Sequence, residues 1–371
     1  MDAVSLTEKL ISFNTINPPG NESPLAEFIG DLLSGNGFSV EYSGFGENRK
    51  HLIAEKGVPP QGMPLVLSGH FDVVPLGARQ WTTDPFISKT EGDKLFGRGS
   101  SDMKSGLAAM ICAAIDVPRE KFPENGIRLI FTAGEELGCE GARDLVKTYP
   151  NLGKASAVII GEPTSNIPAI GHKGAIFLTA VAKGKTVHSS MPELGINAIY
   201  KAARAVLKTG DFRFNAREDI LLGFPTINVG KFNGGLNLNS VPDHAEFTID
   251  LRTTTFVDHK EVFERLSREL GDEISLIKQV DLPPVSSNEN DPFVQLAYAT
   301  CQGEGIRSFR AKALPYLTDG SVLQDYYKNV PAIILGPGEP EMAHQTDEYC
   351  FISKIKQAVN IYKNIIINWR N

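Results

Sequence analysis

Cysteine is scarce in this chain of 371 residues: Cys112, Cys139, Cys301 and Cys350 are the only four. They form no C-x-x-C pair and no disulfide-like spacing, which excludes a disulfide scaffold. We read them as reduced thiols of a cytoplasmic protein. Long apolar runs are lacking as well, since no stretch approaches the ~18–20 residues that span a bilayer. The N-terminus, MDAVSLTEKLISF, carries Asp2 and Glu8 where a signal peptide would place lysines, and reads instead as an amphipathic helix. Positive charge is in deficit, with 37 Lys plus Arg against 44 Asp plus Glu and a net charge of −7. Without a basic stripe, neither nucleic acid nor an anionic membrane is an expected partner. What remains is ordinary: 42% hydrophobic and 22% charged residues exclude wholesale disorder and a collagen-like fibre.

The length exceeds the ~100–150 residues typical of one core, so two domains are expected. Buried-strand candidates at Pro64–Ser68, Ile127–Thr132 and Ala157–Ile160 alternate with helical patterns at Ser105–Ile115 and Gly141–Tyr149. An earlier helix, with Asn21 or Ser23 as its cap, runs through Leu33. Pro331–Leu335 reads as one more strand, followed by a C-terminal helix through Ile367. Apolar strands separated by helices predict a mostly parallel sheet covered on both faces. The middle differs. From about Ala175 the order is strand, helix (Asn197–Thr209), two strands (Thr226–Phe232, Ala245–Arg252), helix (Asp258–Gly271) and strand (Glu273–Val280). That β-α-β-β-α-β order is the ferredoxin-like split pattern. The expected fold class is therefore α/β, with a domain at 1–173 and 284–371 interrupted by an inserted α+β domain at 174–283.

Metal-competent side chains follow directly on the predicted strands. His70 and Asp72 follow PLVLSG, Glu135 and Glu136 follow IRLIFTAG, Glu162 follows AVIIG, and His344 lies in the loop after PAIILGPG. Asp102 sits in GRGSSDMKSG just before a helix. Loops at the carboxyl ends of parallel strands converge at one edge. Each residue alone is commonplace, but a converged cluster of carboxylates repels itself unless a cation neutralises it. Two His and three or four carboxylates suit two divalent ions, most naturally Zn2+, with Co2+ or Mn2+ compatible with the same donors. Paired ions ~3.5–4 Å apart activate water against an amide, with one carboxylate bridging and one kept off the metals as a base.

The stretches SGHFDVVPLG, GRGSSDMKSG, TAGEELGCEGA, GEPT and AHQTDEY resemble the signature blocks of a co-catalytic metallopeptidase and deacylase family. That family includes acetylornithine deacetylase and succinyl-diaminopimelate desuccinylase, and the similarity covers nearly the whole chain. The resemblance implies that His70 and Glu162 hold the first metal, Glu136 and His344 the second, and Asp102 both, with a cis peptide after Asp102. It implies that Asp72 orients the His70 imidazole and that Glu135 is the general base. GEPT, with Glu162, resembles the deacylases, whereas Asp there would resemble an aminopeptidase.

In the inserted domain, His188 in GKTVHSSMP matches a family histidine that reaches across a dimer to stabilise an oxyanion in the neighbour's site. Arg252 and Asn239 lie where relatives grip a substrate carboxylate, and Thr318, with Asp319 and Gly320, resembles a substrate-side loop. His172, in GHKG, matches a structural hinge sequence, while His51, His244 and His259 have no partner pattern. The expected activity is hydrolysis of an N-acyl amino acid's amide by a homodimer whose inserted domain serves as lid and dimerisation element. A dipeptidase or carboxypeptidase cleaving a short peptide with the same metals is the nearer rival, and a non-catalytic binding module the more distant one.

Overall fold

The computed structural model describes residues 1–149, 152–307 and 312–370. The chain divides into two compact units: Met1–Gly171 with Val285–Leu314 and Thr318–Asn371, and His172–Pro284 with Pro315–Leu317.

The first unit is built on a six-stranded sheet. Its order in space is Ser39–Gly44, Lys50–Lys56, Ile127–Thr132, Leu65–His70, Ala157–Ile160 and Ala332–Ile334. The last four strands run parallel. Leu65–His70, Ile127–Thr132 and Ala157–Ile160 are buried at every residue, which is why they read as unbroken apolar runs rather than alternating ones. The helix Lys104–Ile115 is buried along almost its whole length between Ala3–Ile11 and Ile352–Asn368. Its small residues permit close approach: a Cβ at Gly106 would lie 2.2 Å from the Gly161 carbonyl oxygen. The helix that follows Asp102 thereby presses on the loop that carries Glu162.

Three local expectations shift. The strand expected at Pro64–Ser68 runs on to His70, because Gly69 and His70 still pair with Phe131 and Thr132. Neither Asn21 nor Ser23 caps the helix Ser23–Ser34; Pro24 starts it, and Glu22 at its N-cap position is bound by Arg49 instead. The antiparallel pair Ser39–Gly44 and Lys50–Lys56 has no counterpart among the strands expected from sequence. Its outer strand is exposed or half-exposed throughout and so carries no apolar run.

The second unit has four antiparallel strands and two helices. The sheet order is Thr226–Gly234, His244–Thr253, Gly174–Lys183, Ile274–Leu282, which is the ferredoxin-like arrangement. His244–Thr253 alternates strictly, with Ala245, Phe247, Ile249 and Leu251 buried. Those side chains pack on Ala198, Ala202 and Ala205 of one helix and on Val262 and Leu266 of the other. Asn197 and Asp258 cap the two helices by accepting the Tyr200 and Glu261 N–H groups, each worth about 1 kcal/mol. Among the described residues no helix is long and apolar enough to cross a membrane.

Candidate metal centre

The parallel strands deliver the donors to one sheet edge. His70 ends its strand opposite Thr132, Glu135 and Glu136 follow Thr132 by three and four residues, and Glu162 follows Ile160 by two. Asp102 comes from the loop before Lys104–Ile115, and that loop is built around one buried carboxylate. Glu348 accepts the backbone N–H groups of Gly99, Ser101 and Asp102 at 2.9, 2.7 and 2.9 Å and pairs with Arg98 at 2.7 Å. The Asp102–Met103 peptide is cis. His344 adopts φ 65°, a left-handed conformation uncommon for a residue with a side chain.

Two donor triads share Asp102. The donor atoms of His70, Asp102 and Glu162 lie within 4.8 Å of one another, as do those of Asp102, Glu136 and His344. The Asp102 oxygens divide between them: Oδ1 is 3.2 Å from His70 Nε2, and Oδ2 is 3.4 Å from His344 Nε2. His344 Nε2 is also 3.0 Å from Glu136 Oε2, and His70 Nε2 is 3.7 Å from Glu162 Oε1.

Whether these residues fit metal ions is decided by the proton on His70. Its Nδ1 lies 2.9 Å from the Asp72 carbonyl oxygen, which can only accept, so Nδ1 carries the hydrogen and Nε2 presents a lone pair. That lone pair faces two carboxylate oxygens. Acceptors meeting acceptors require a cation between them or a second proton on the ring. Buried Glu136 Oε1 also has no hydrogen-bond partner. Imidazole and carboxylate donors in two sets of three, with one shared oxygen pair, suit two divalent ions of borderline softness.

The electrostatics agree. Burial pushes Glu162 up to about 7, and burial with the neighbouring Asp102 does the same to Glu136. Glu135 is raised well above the carboxylate range, by burial first and by Glu162 next. Burial opposes the charge on Asp102 as well, yet the His344 and His70 rings hold it below its ordinary value. His344 is raised to about 10 by its bonds to Asp102 and Glu136. Such a set is costly to keep charged unless cations neutralise it.

Asp72 acts differently from the expectation. Its carbonyl oxygen, not its carboxylate, meets His70 Nδ1; the nearest carboxylate oxygen is 3.6 Å away. The carboxylate instead accepts the N–H groups of Gly134, Glu135 and Glu136 at 2.9, 3.0 and 3.1 Å, and the Asn17 amide at 2.9 Å. Successive N–H groups form an anion-binding nest, made possible by Gly134 at φ 83°. One residue thus sets both a ring and the turn that carries Glu135 and Glu136. Glu135 itself belongs to neither triad.

The inserted unit brings some of its expected residues together and separates another. His188 is exposed, and the Ser190 N–H donates to its Nδ1 at 3.2 Å, leaving Nε2 as the donor of the neutral ring. The Ser189 N–H donates to the Asn239 carbonyl, so His188 and Asn239 lie on bonded neighbouring segments. Arg252 lies toward the other end of the strand His244–Thr253, eight residues from His244 or roughly 27 Å at ~3.4 Å per residue. Its guanidinium is held by Asp250 at 2.8 and 3.1 Å and lies over the Phe177 ring. Thr318, in the first unit, is fully buried, and its hydroxyl accepts the Gly320 N–H at 3.0 Å.

Peptidase family M20/M25/M40 matches the chain over residues 66–368. The chain belongs to this family. A protein of Staphylococcus epidermidis named probable succinyl-diaminopimelate desuccinylase is 34% identical, with 98% of this chain and 96% of that protein covered. Among solved structures, an M20 family metallo-carboxypeptidase from Sulfolobus solfataricus superimposes with a TM-score of 0.83 at 19% identity, covering 99% of each chain. A dinuclear metal binding peptidase of the M20 family from Bacillus subtilis gives a TM-score of 0.72 at 17% identity, covering 98% and 96%. At these identities the two structures speak for the fold. As a member of the M20 family, the chain is a metal-dependent hydrolase of amide bonds.

Several residues that hold this M20 site in place carry no signal in the sequence. Glu348 lies four residues beyond His344 in AHQTDEY, but a carboxylate that binds backbone has no distinguishing pattern. Asn17 and Arg98 reach their partners only across the fold. His51, which has no partner pattern, is buried and accepts the Ala133 N–H at 3.1 Å through Nδ1, bracing the start of the same turn.

Proposed function

We propose that the protein hydrolyses the amide of an N-acyl amino acid, with N-succinyl-L,L-diaminopimelate as the first substrate to test. The observation that carries this reading is the division of the Asp102 oxygens between two His-carboxylate triads, with Glu135 left outside both. The substrate class is supported by the curated relative's name and its coverage of nearly the whole chain.

In this reading His70, Glu162 and Asp102 hold one ion, and Glu136, His344 and Asp102 the other, both Zn2+. The ions supply Lewis acidity toward the amide carbonyl and toward the attacking water. Glu135, raised by burial and by neighbouring carboxylates, removes a proton from that water and delivers it to the departing amine nitrogen. The turn held by Asp72 keeps Glu135 and Glu136 in register, so that adjacent residues play different roles. His188 donates through Nε2 to the developing oxyanion, and Arg252 and Asn239 take the substrate carboxylate.

We further assign a homodimer formed through the inserted unit. His188 and Asn239 lie on loops off one end of the sheet and Arg252 toward its other end, so a single copy is poorly placed to bring all three to one substrate. The edge strand Thr226–Gly234 is largely exposed, and Tyr200 and Leu207 on the helix beside it are 65% and 71% exposed. The four buried free thiols fit a reducing, cytoplasmic setting.

The test is amine release by zinc-loaded protein from N-succinyl, N-acetyl and N-formyl amino acids beside simple dipeptides. Turnover of acyl amino acids, lost in Glu135→Gln, is expected. Turnover of dipeptides alone would overturn the substrate class.

A further inference from the structure

A third cluster of ionisable side chains lies just beneath the base. Glu135, Cys139 and Asp319 are all buried, and their terminal atoms lie within 4.8 Å of one another. The backbone aims the thiol. The N–H groups of Gly138 and Cys139 both donate to the Glu135 carbonyl, at 2.9 and 2.7 Å, closing a tight turn. Cys139 then takes φ 55°, ψ 33°, a left-handed conformation that a residue with a Cβ seldom adopts. Cys139 Sγ donates to Glu135 Oε1 at 3.3 Å. On the other side, Asp319 Oδ2 accepts from the Thr132 hydroxyl at 2.5 Å, while its buried Oδ1 has no hydrogen-bond partner. Thr132 ends the strand that leads into the Glu135 turn, so the cluster is anchored to the sheet.

We propose that Cys139, backed by Asp319, is a positioning residue that fixes the Glu135 carboxyl by donating its thiol hydrogen to Oε1. The inference rests on Glu135 being the base. A carboxyl that belongs to neither metal triad is free to rotate unless something else holds it. A thiol is well suited to hold it. Being a weak donor, it fixes one oxygen without competing strongly with the water proton that Glu135 must accept. The short turn from Glu135 to Cys139 leaves little freedom in where the donor sits, and Gly138 at φ 90° makes the turn possible.

Two readouts test it on the zinc-loaded protein. Infrared difference spectra between wild type and Cys139→Ala isolate one S–H stretching band among the four thiols. Its shift to higher frequency in Glu135→Ala, which removes the acceptor oxygen, is expected; an unmoved band would mean no S–H donation to Glu135 and would overturn the proposal. Kinetically, Cys139→Ala should lower kcat on the order of tenfold with KM nearly unchanged and zinc content intact, and Cys139→Ser should restore most of the loss. An unchanged kcat in Cys139→Ala overturns the positioning role. So does a parallel loss of zinc and turnover not rescued by Ser, which marks a packing defect. A third bound zinc that disappears in Cys139→Ala would make the cluster a cation site instead. If the wild type cleaves none of the panel, the substrate reading above fails, and the infrared band alone decides the thiol contact.

Discussion

The two units hold their candidate functional residues in opposite ways. In the first, most such side chains are buried and already committed to a partner, with His344 the exposed exception: Asp72 to three N–H groups, Glu348 to three more, His70 to a carbonyl, and Glu135 to a thiol. In the second, His188 and Asn239 are exposed on loops, and Arg252 is held by Asp250 of its own strand and by the Phe177 ring beside it. The difference reflects the roles proposed for them. Donors for an ion must hold a fixed shape against their own repulsion, which takes burial and backbone dipoles. Residues that meet a substrate must remain open until it arrives.

The sharpest break in that contrast would come from the base. Glu135→Gln should lower turnover by about 10²–10⁴ with two zinc ions per chain retained, read by amine release and atomic absorption. Retained turnover would move the base elsewhere and leave the buried edge as a mere metal cage. His188→Ala should cost about 10²-fold in kcat with zinc content unchanged. Mixing the inactive Glu135→Gln and His188→Ala proteins should then recover roughly a quarter of wild-type activity through mixed dimers, each with one intact site. Failure of that complementation would confine His188 to its own chain and remove the case for a shared site.

A smaller effect tests the support beneath the donors. Glu348→Gln leaves Arg98 without its carboxylate and weakens the loop that presents Asp102, so zinc affinity should fall about 10–100-fold in a chelator competition. An unchanged affinity would mean that packing alone sets the loop. The smallest effect is on stability against acid. Burial lowers His51 in the first unit and His172 in the second to about 4, below the ordinary value of 6.5. The unfolded chain therefore binds more protons than the folded one between those values. Each histidine's contribution is complete above pH 6.5 and is lost as pH falls toward 4, amounting to about 2 kcal/mol between pH 7 and 5. Urea midpoints should fall less over that interval in His51→Gln than in wild type; equal falls would show that folding does not change the proton uptake of His51.

The legibility of the molecule follows burial. Strands buried on both faces, such as Ile127–Thr132 and Ala157–Ile160, leave an apolar run that ends where the strand ends. The alternation of His244–Thr253 records a sheet with one buried face. The exposed edge strand Ser39–Gly44 leaves no such record, and the pair it forms is invisible in the sequence. The donors themselves are legible because they follow strand ends, and parallel strands converge there. Thr318 is fully buried and its hydroxyl accepts a backbone N–H, a placement that the motif around it does not reveal.

The sequence alone determined which residue types could meet at the sheet edge, and in what order along the chain, because strand ends and apolar runs are local properties. Only the tertiary structure decided what each carboxylate does there. Asp102 divides its oxygens between two triads, Asp72 and Glu348 are turned to backbone N–H groups, and Glu135 is turned to a thiol. A carboxylate carries the same charge in every one of these roles. Which role it plays is set by the donors within about 3 Å, and those are brought to it by residues far away in the chain.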